Sequence, residues 1–178
     1  MNEELKIKYY GQNSMRVYNI TPQNQHLLNT HNIRYLEIEG HYLDHFEIPP
    51  GIEHIELIDI GLKTLKISDG VEHVNCSRNF LKTIEIPQSL VYLNASKNLL
   101  SEITFRSPTG NRLEELDIRS NKFKVLDFIV PKKFYCLNAN NNDIQFIGES
   151  VKHFLSDDYI PEPRTPCESE EETSEPES

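Results

Sequence analysis

Apolar residues return in a fixed order along the middle of this chain, and no other feature of the sequence restricts the fold as strongly. One unit carries Ile33, Leu36, Ile38, Leu43, Phe46 and Ile48, at positions one, four, six, eleven, fourteen and sixteen, and Pro49-Pro50-Gly51 closes it. The next units start at Ile52, Val71 and Leu90, each 19 residues after the last. Two further units start at Leu113 and Phe134, their wider spacing taken up by short insertions such as 106–112. A period of this length marks stacked repeats, none of which buries its apolar side alone. A unit of 19 residues holds one short strand. It leaves too few residues for a full helix, which needs roughly ten or more. The expected architecture is a mostly β member of the α/β repeat class, a solenoid with a curved parallel sheet, an irregular convex side and terminal caps.

The ninth position is more specific than the apolar ones. Asn79, Asn98, Asn121 and Asn142 stand there, each two residues before an apolar side chain. A turn after a short strand leaves backbone amides and carbonyls pointing inward, and a carboxamide offers both donors and acceptors to satisfy them. These four residues are expected to form a structural ladder, with less regular turns at His41 and Ile60, where it breaks. The segments Leu90-Val-Tyr-Leu93-Asn-Ala95-Ser-Lys-Asn98-Leu-Leu100 and Leu113-Glu-Glu-Leu116-Asp-Ile118-Arg-Ser-Asn121-Lys-Phe123 resemble the LxxLxLxxNxL consensus of the leucine-rich-repeat family. The short period and the Ile-Pro-x-x-Leu junctions are most similar to the compact repeats of giant DNA viruses of amoebae and of bacterial effectors. The Leu-Pro-x-Leu-Pro signature of the effectors is absent, which favours the viral type. The resemblance covers about residues 33–147 and implies a protein-binding scaffold without catalysis.

Outside the repeats, residues 1–32 are expected to form an N-terminal cap. In it Leu5-Lys-Ile7-Lys-Tyr9 and Met15-Arg-Val17 alternate like the strands of a hairpin, followed by a brief helical turn over 26–29. The repeats run over 33–148, in about six units. Val151, Phe154 and Leu155 share one face at helical spacing, so 149–155 is expected to be a closing helix. From Ser156 to Ser178 apolar residues give way to Pro, Glu and Ser, a composition that cannot offset chain entropy by burial. This last segment is expected to be a disordered acidic tail, with Ser169 and Ser174 as phosphorylation sites of the acidophilic kind.

Charge narrows the functional classes. Of the formal net charge of -10, the tail carries nine acidic residues against Arg164, hence -8, and the body -2. That sign is wrong for phosphate neutralisation or for an anionic membrane, so no nucleic acid and no membrane partner is expected. The start of the chain has acidic residues where a secretion signal needs basic ones. The expected location is therefore cytoplasmic, in the host cytoplasm if the viral resemblance holds, and not secreted. Cys76, Cys136 and Cys167 are odd in number and lack CxxC spacing, which argues against a disulfide framework or a zinc site. No catalytic motif, cofactor, metal or small-molecule site is expected, and the chain is not read as an enzyme.

Alternation along a strand sends the third, fifth, seventh and eighth residues of each unit outward on the concave side. The third-position column reads Tyr35, His54, His73, Tyr92, Glu115, Cys136, and the fifth reads Glu37, Glu56, Asn75, Asn94, Asp117, Asn138. Large amphipathic rings on a rigid sheet provide contact area at small entropic cost. Tyr35, His54, His73 and Tyr92 are therefore the expected centre of a polypeptide-binding face, with Glu37, Glu56, Arg78 and Lys97 around it. Two other readings are open. Repeats followed by acid resemble the acidic leucine-rich nuclear phosphoproteins, which implies a tail that binds basic proteins. The repeats also suit a subunit that recruits substrate to a separate enzyme.

Overall fold

A computed structural model of the chain describes residues 5–30, 32–40, 43–107 and 109–155. The tail 156–178, with Ser169 and Ser174, and His41 at the ninth position of the first unit lie outside the described residues. The described part is a mostly β solenoid of about seven turns with stacked parallel strands and very little helix.

The chain enters through β1 (Lys6–Tyr9) and β2 (Ser14–Tyr18), which pair antiparallel, and then a short 3-10 helix over Gln25–Thr30. Each following turn contributes a strand to the main sheet and another short one to the opposite side. They alternate as β3 (Tyr35–Glu39), β4 (His45–Glu47), β5 (His54–Glu56), β6 (Thr64–Lys66), β7 (His73–Asn75) and β8 (Thr83–Ile86). The series continues with β9 (Tyr92–Asn94), β10 (Glu102–Phe105), β11 (Glu115–Asp117), β12 (Val125–Leu126), β13 (Cys136–Asn138) and β14 (Phe146–Ile147), and ends in α1 (Glu149–Lys152). The main sheet has the order β1-β2-β3-β5-β7-β9-β11-β13, and the opposite side holds three separate pairs, β4-β6, β8-β10 and β12-β14.

Three features depart from the periodicity. β2 is more than half of a capping hairpin, because it also pairs in parallel with β3, Met15 opposite Leu36 and Val17 opposite Ile38, and so forms a full rung. Met15, Val17 and Ile20 are buried like the residues of a repeat, which is why the solenoid has about seven turns and not six. The closing helix is shorter than 149–155. It stops at Lys152, and Leu155 then forms a parallel bridge with Leu137, so extended backbone completes the C-terminal edge. The side opposite the main sheet is more ordered than expected, since it holds three strand pairs, and ion pairs such as Lys63–Asp44 at 2.8 Å and Lys66–Glu47 at 2.6 Å link the rungs of β4 and β6.

Inside, the apolar positions merge into one continuous core that runs from Met15 to Val151. The polar ladder lies along one side of it. Asn79 Oδ1 accepts from the Ile60 and Leu62 amides at 3.2 and 2.9 Å, and its Nδ2 donates to the Leu57, Cys76 and Ser77 carbonyls. Asn98, Asn121 and Asn142 repeat the arrangement, accepting from the amides of Leu81, Leu100 and Phe123. Each carboxamide thus ties its own turn to the one before, and losing one leaves an amide of the earlier turn without its acceptor, at about 1–3 kcal/mol.

The eighth position of every turn, one residue before the ladder, is left-handed. Asn19, Gly40, Asp59, Arg78, Lys97, Ser120 and Asn141 have φ between 55 and 87°. This conformation turns the chain from the main sheet toward the core. It suits Gly40 and the Asn residues, and it strains Arg78 and Lys97, whose Cβ crowds the following carbonyl.

Candidate functional site

The parallel register brings one residue of each turn into line on the main sheet. Tyr35 pairs with His54, His54 with His73, His73 with Tyr92, Tyr92 with Glu115, and Glu115 with Cys136. The first four rings form a continuous stack. Centroids are 6.5 Å apart for Tyr35 and His54, 4.3 Å for the two imidazoles and 6.1 Å for His73 and Tyr92, with interplanar angles of 27, 9 and 26°. All four side chains are half-buried, on the face of the sheet opposite the buried Ile55, Val74 and Leu93. A shallow depression of about 150 Å³ sits among Tyr35, His54, Glu56, His73, Asn75 and Tyr92.

Carboxylates surround the stack. Glu37 is held by Arg16 Nε at 2.7 Å, and Glu56 accepts from Asn75 Nδ2 at 2.8 Å. Burial pushes the Glu56 carboxyl above its ordinary range, with the Asn75 hydrogen bond opposing and the Glu37 charge adding. Burial likewise raises the Tyr35 and Tyr92 hydroxyls. His73 is lowered by burial and by His54, while Glu72, Glu115 and Glu114 act in the opposite sense. Asp117 is raised by burial and held by the Arg119 amide and side chain. Tyr135, exposed on the next rung, donates its hydroxyl to Glu115.

The expected concave face therefore divides. Tyr35, His54, His73 and Tyr92 come together with Glu37 and Glu56. Arg78 and Lys97 do not join them, because the strands end at position five and position eight lies in the left-handed turn. Ser77 and Ser96 at the seventh position, which simple alternation points outward, are buried at the strand ends. There the Asn75 and Asn94 side chains accept from their amides at 3.2 and 3.1 Å. Alternation fails at this point because the chain has already begun to turn.

The sequence reading missed Arg16, which β2 places beside Glu37 and within 3.1 Å of Glu39. Its signal was present: Met15, Val17 and Ile20 match positions four, six and nine of a repeat, one turn before Leu36 and Ile38. Cys136 ends the third-position column half-buried, and Cys76 is fully buried in the core, its thiol pushed up to about 12 by burial. Among the described residues no group of three or more His, Cys, Asp or Glu side chains is placed to hold a metal ion, and no helix is long and apolar enough to cross a membrane. Comparison with family models, curated proteins and solved structures finds no match for the chain.

Proposed function

We propose that this chain is a leucine-rich-repeat protein of the short-repeat type and acts as a non-catalytic scaffold whose concave sheet binds a polypeptide partner. The ring stack supports this reading. Four large amphipathic side chains on successive rungs make a rigid, half-exposed strip, and rigid aromatic contact area is what protein-recognition surfaces use. The Asn ladder and the order of apolar positions favour the leucine-rich-repeat type, since they reproduce its consensus turn after turn.

The test is affinity capture from the native cell with the intact protein, a variant with Tyr35, His54, His73 and Tyr92 changed to Ala, and a deletion of 156–178. Each is checked for folding by circular dichroism. The scaffold reading expects a partner that is lost with the four-residue variant and kept by the deletion. A partner that stays with the variant and leaves with the deletion overturns it, and makes the acidic segment the binding element.

A further inference from the structure

The concave sheet is not only aromatic; its charge is one-sided. In β3, β5, β7, β9 and β11 and the residues that lead into them, Glu37, Glu53, Glu56, Glu72, Glu114, Glu115 and Asp117 line the second, third and fifth positions, against Arg34 alone. Most of these carboxylates have a cation at hand. Glu37 has Arg16, Glu53 has Arg34, Glu72 has Arg112, Asp117 has Arg119, and Glu114 has Lys133 at 3.9 Å. Glu56 and Glu115 are different: among the described residues each is met by a neutral donor, Asn75 and Tyr135, and by no cation. These two flank the ring stack. Glu56 lines the depression beside His54, and Glu115 follows Tyr92 in the same column, on the side of Tyr92 that His73 does not cover.

The rings are likewise without a cation. Tyr10, at the N-terminal edge, is faced by Lys8 and Arg16 at 5.0 and 5.3 Å, whereas no lysine or arginine among the described residues lies over Tyr35, His54, His73 or Tyr92. An aromatic face next to an uncompensated carboxylate suits a guanidinium, which stacks on the ring and forks its N–H groups onto the acid. Spacing then defines the ligand. Glu56 on β5 and Glu115 on β11 are three rungs apart, ~14 Å at ~4.8 Å per rung, and two residues apart along the strands, ~7 Å, which makes a diagonal of ~16 Å. Four residues of extended chain at ~3.3 Å each span ~13 Å, an even offset that keeps both side chains on one face, and the length of the arginine side chains takes up the remainder. The depression of about 150 Å³ admits a side chain, whereas a whole helix is ~10–12 Å across.

We propose that the concave sheet takes an extended segment of a basic partner with two arginines four residues apart, one on Glu56 in the depression and one between Tyr92 and Glu115. This rests on the reading that the concave sheet binds a polypeptide, and it names the chemistry of that partner.

The experiment uses the full chain and fluorescently labelled Gly/Ser peptides with arginines at i and i+4, at i and i+1, or replaced by alanine, read by anisotropy. The i, i+4 peptide is expected to bind tightest. Glu56→Gln and Glu115→Gln are each expected to weaken it by about ten-fold, the usual effect of losing a charge-assisted hydrogen bond. Tyr92→Leu is expected to remove the preference for arginine over a lysine version of the peptide. Equal binding of the two arginine spacings overturns the proposal. So does unchanged affinity in both Gln variants, which keep 156–178 and would assign the binding to bulk acidity. If no peptide binds while partner capture still depends on the four rings, the basic-partner proposal fails and the scaffold reading stands.

Discussion

The two halves of this solenoid share one backbone course but hold it by different means. From Asn79 onward a carboxamide in each turn, buried at Asn79, Asn98 and Asn121 and half-buried at Asn142, satisfies the backbone of two turns at once. In the earlier half the ninth position of the second unit is Ile60, buried and apolar, and the Leu43 amide donates to the Ile60 backbone carbonyl at 2.7 Å instead. Surface pairs such as Lys63–Asp44 and Lys66–Glu47 link these rungs from outside. One turn geometry therefore has two solutions, a side chain that supplies the missing partner or a backbone that supplies its own.

The contrast is open to direct attack. The largest effect is expected from Asn98→Ala, which orphans the Leu81 amide and takes one of two donors from the Cys76, Ala95 and Ser96 carbonyls, leaving them Asn79, Asn121 and the Arg78 amide. A loss of about 3 kcal/mol by urea denaturation is expected, as one buried amide is orphaned and three carbonyls each lose a bond. A loss below about 0.5 kcal/mol would show that water replaces the ladder at little cost. Ile60→Asn tests the other solution. It puts a carboxamide where the Leu43 amide is already satisfied, so a destabilisation of about 2 kcal/mol is expected in the same assay. A gain in stability would mean that the ladder extends into the earlier half.

Smaller changes refine the picture. Lys97→Gly relieves a left-handed residue at φ 55° and is expected to stabilise by about 1 kcal/mol, less the added entropy of the unfolded chain. His73 reports on the stack through pH. Its folded value lies below the unfolded one, so its contribution is full above the unfolded pKa of about 6.5 and is lost as pH falls through the lowered value. The urea midpoint should drop across that window for the native chain, and His73→Gln should flatten the drop. Glu56 has the opposite sign: its raised carboxyl favours the folded state at low pH, and that contribution is lost as pH rises through the raised value. The smallest effect belongs to Lys66→Ala, which breaks an exposed pair and is expected to cost about 0.3 kcal/mol in a denaturation curve.

Much of this was legible before any coordinates. The apolar order and the recurring Asn define what faces inward, because every turn presents the same environment to the same position. The period also places Tyr35, His54, His73 and Tyr92 in one column. Illegible were the N-terminal rung at Met15 and Val17, hidden by a break in the period, and the burial of Ser77 and Ser96. The positions of Arg78 and Lys97 were equally hidden, since alternation holds only while the backbone stays extended and the turn sets in after position five.

By itself, then, the sequence determined the repeat, its core and its ladder, all of which follow from one residue meeting the same surroundings in each turn. Only the tertiary structure decided how closely the rings stack, which carboxylates find a cation and which, at Glu56 and Glu115, find none among the described residues. Those outcomes depend on side chains from neighbouring turns, 19 or more residues away, whose reach and direction are set by the register of the sheet.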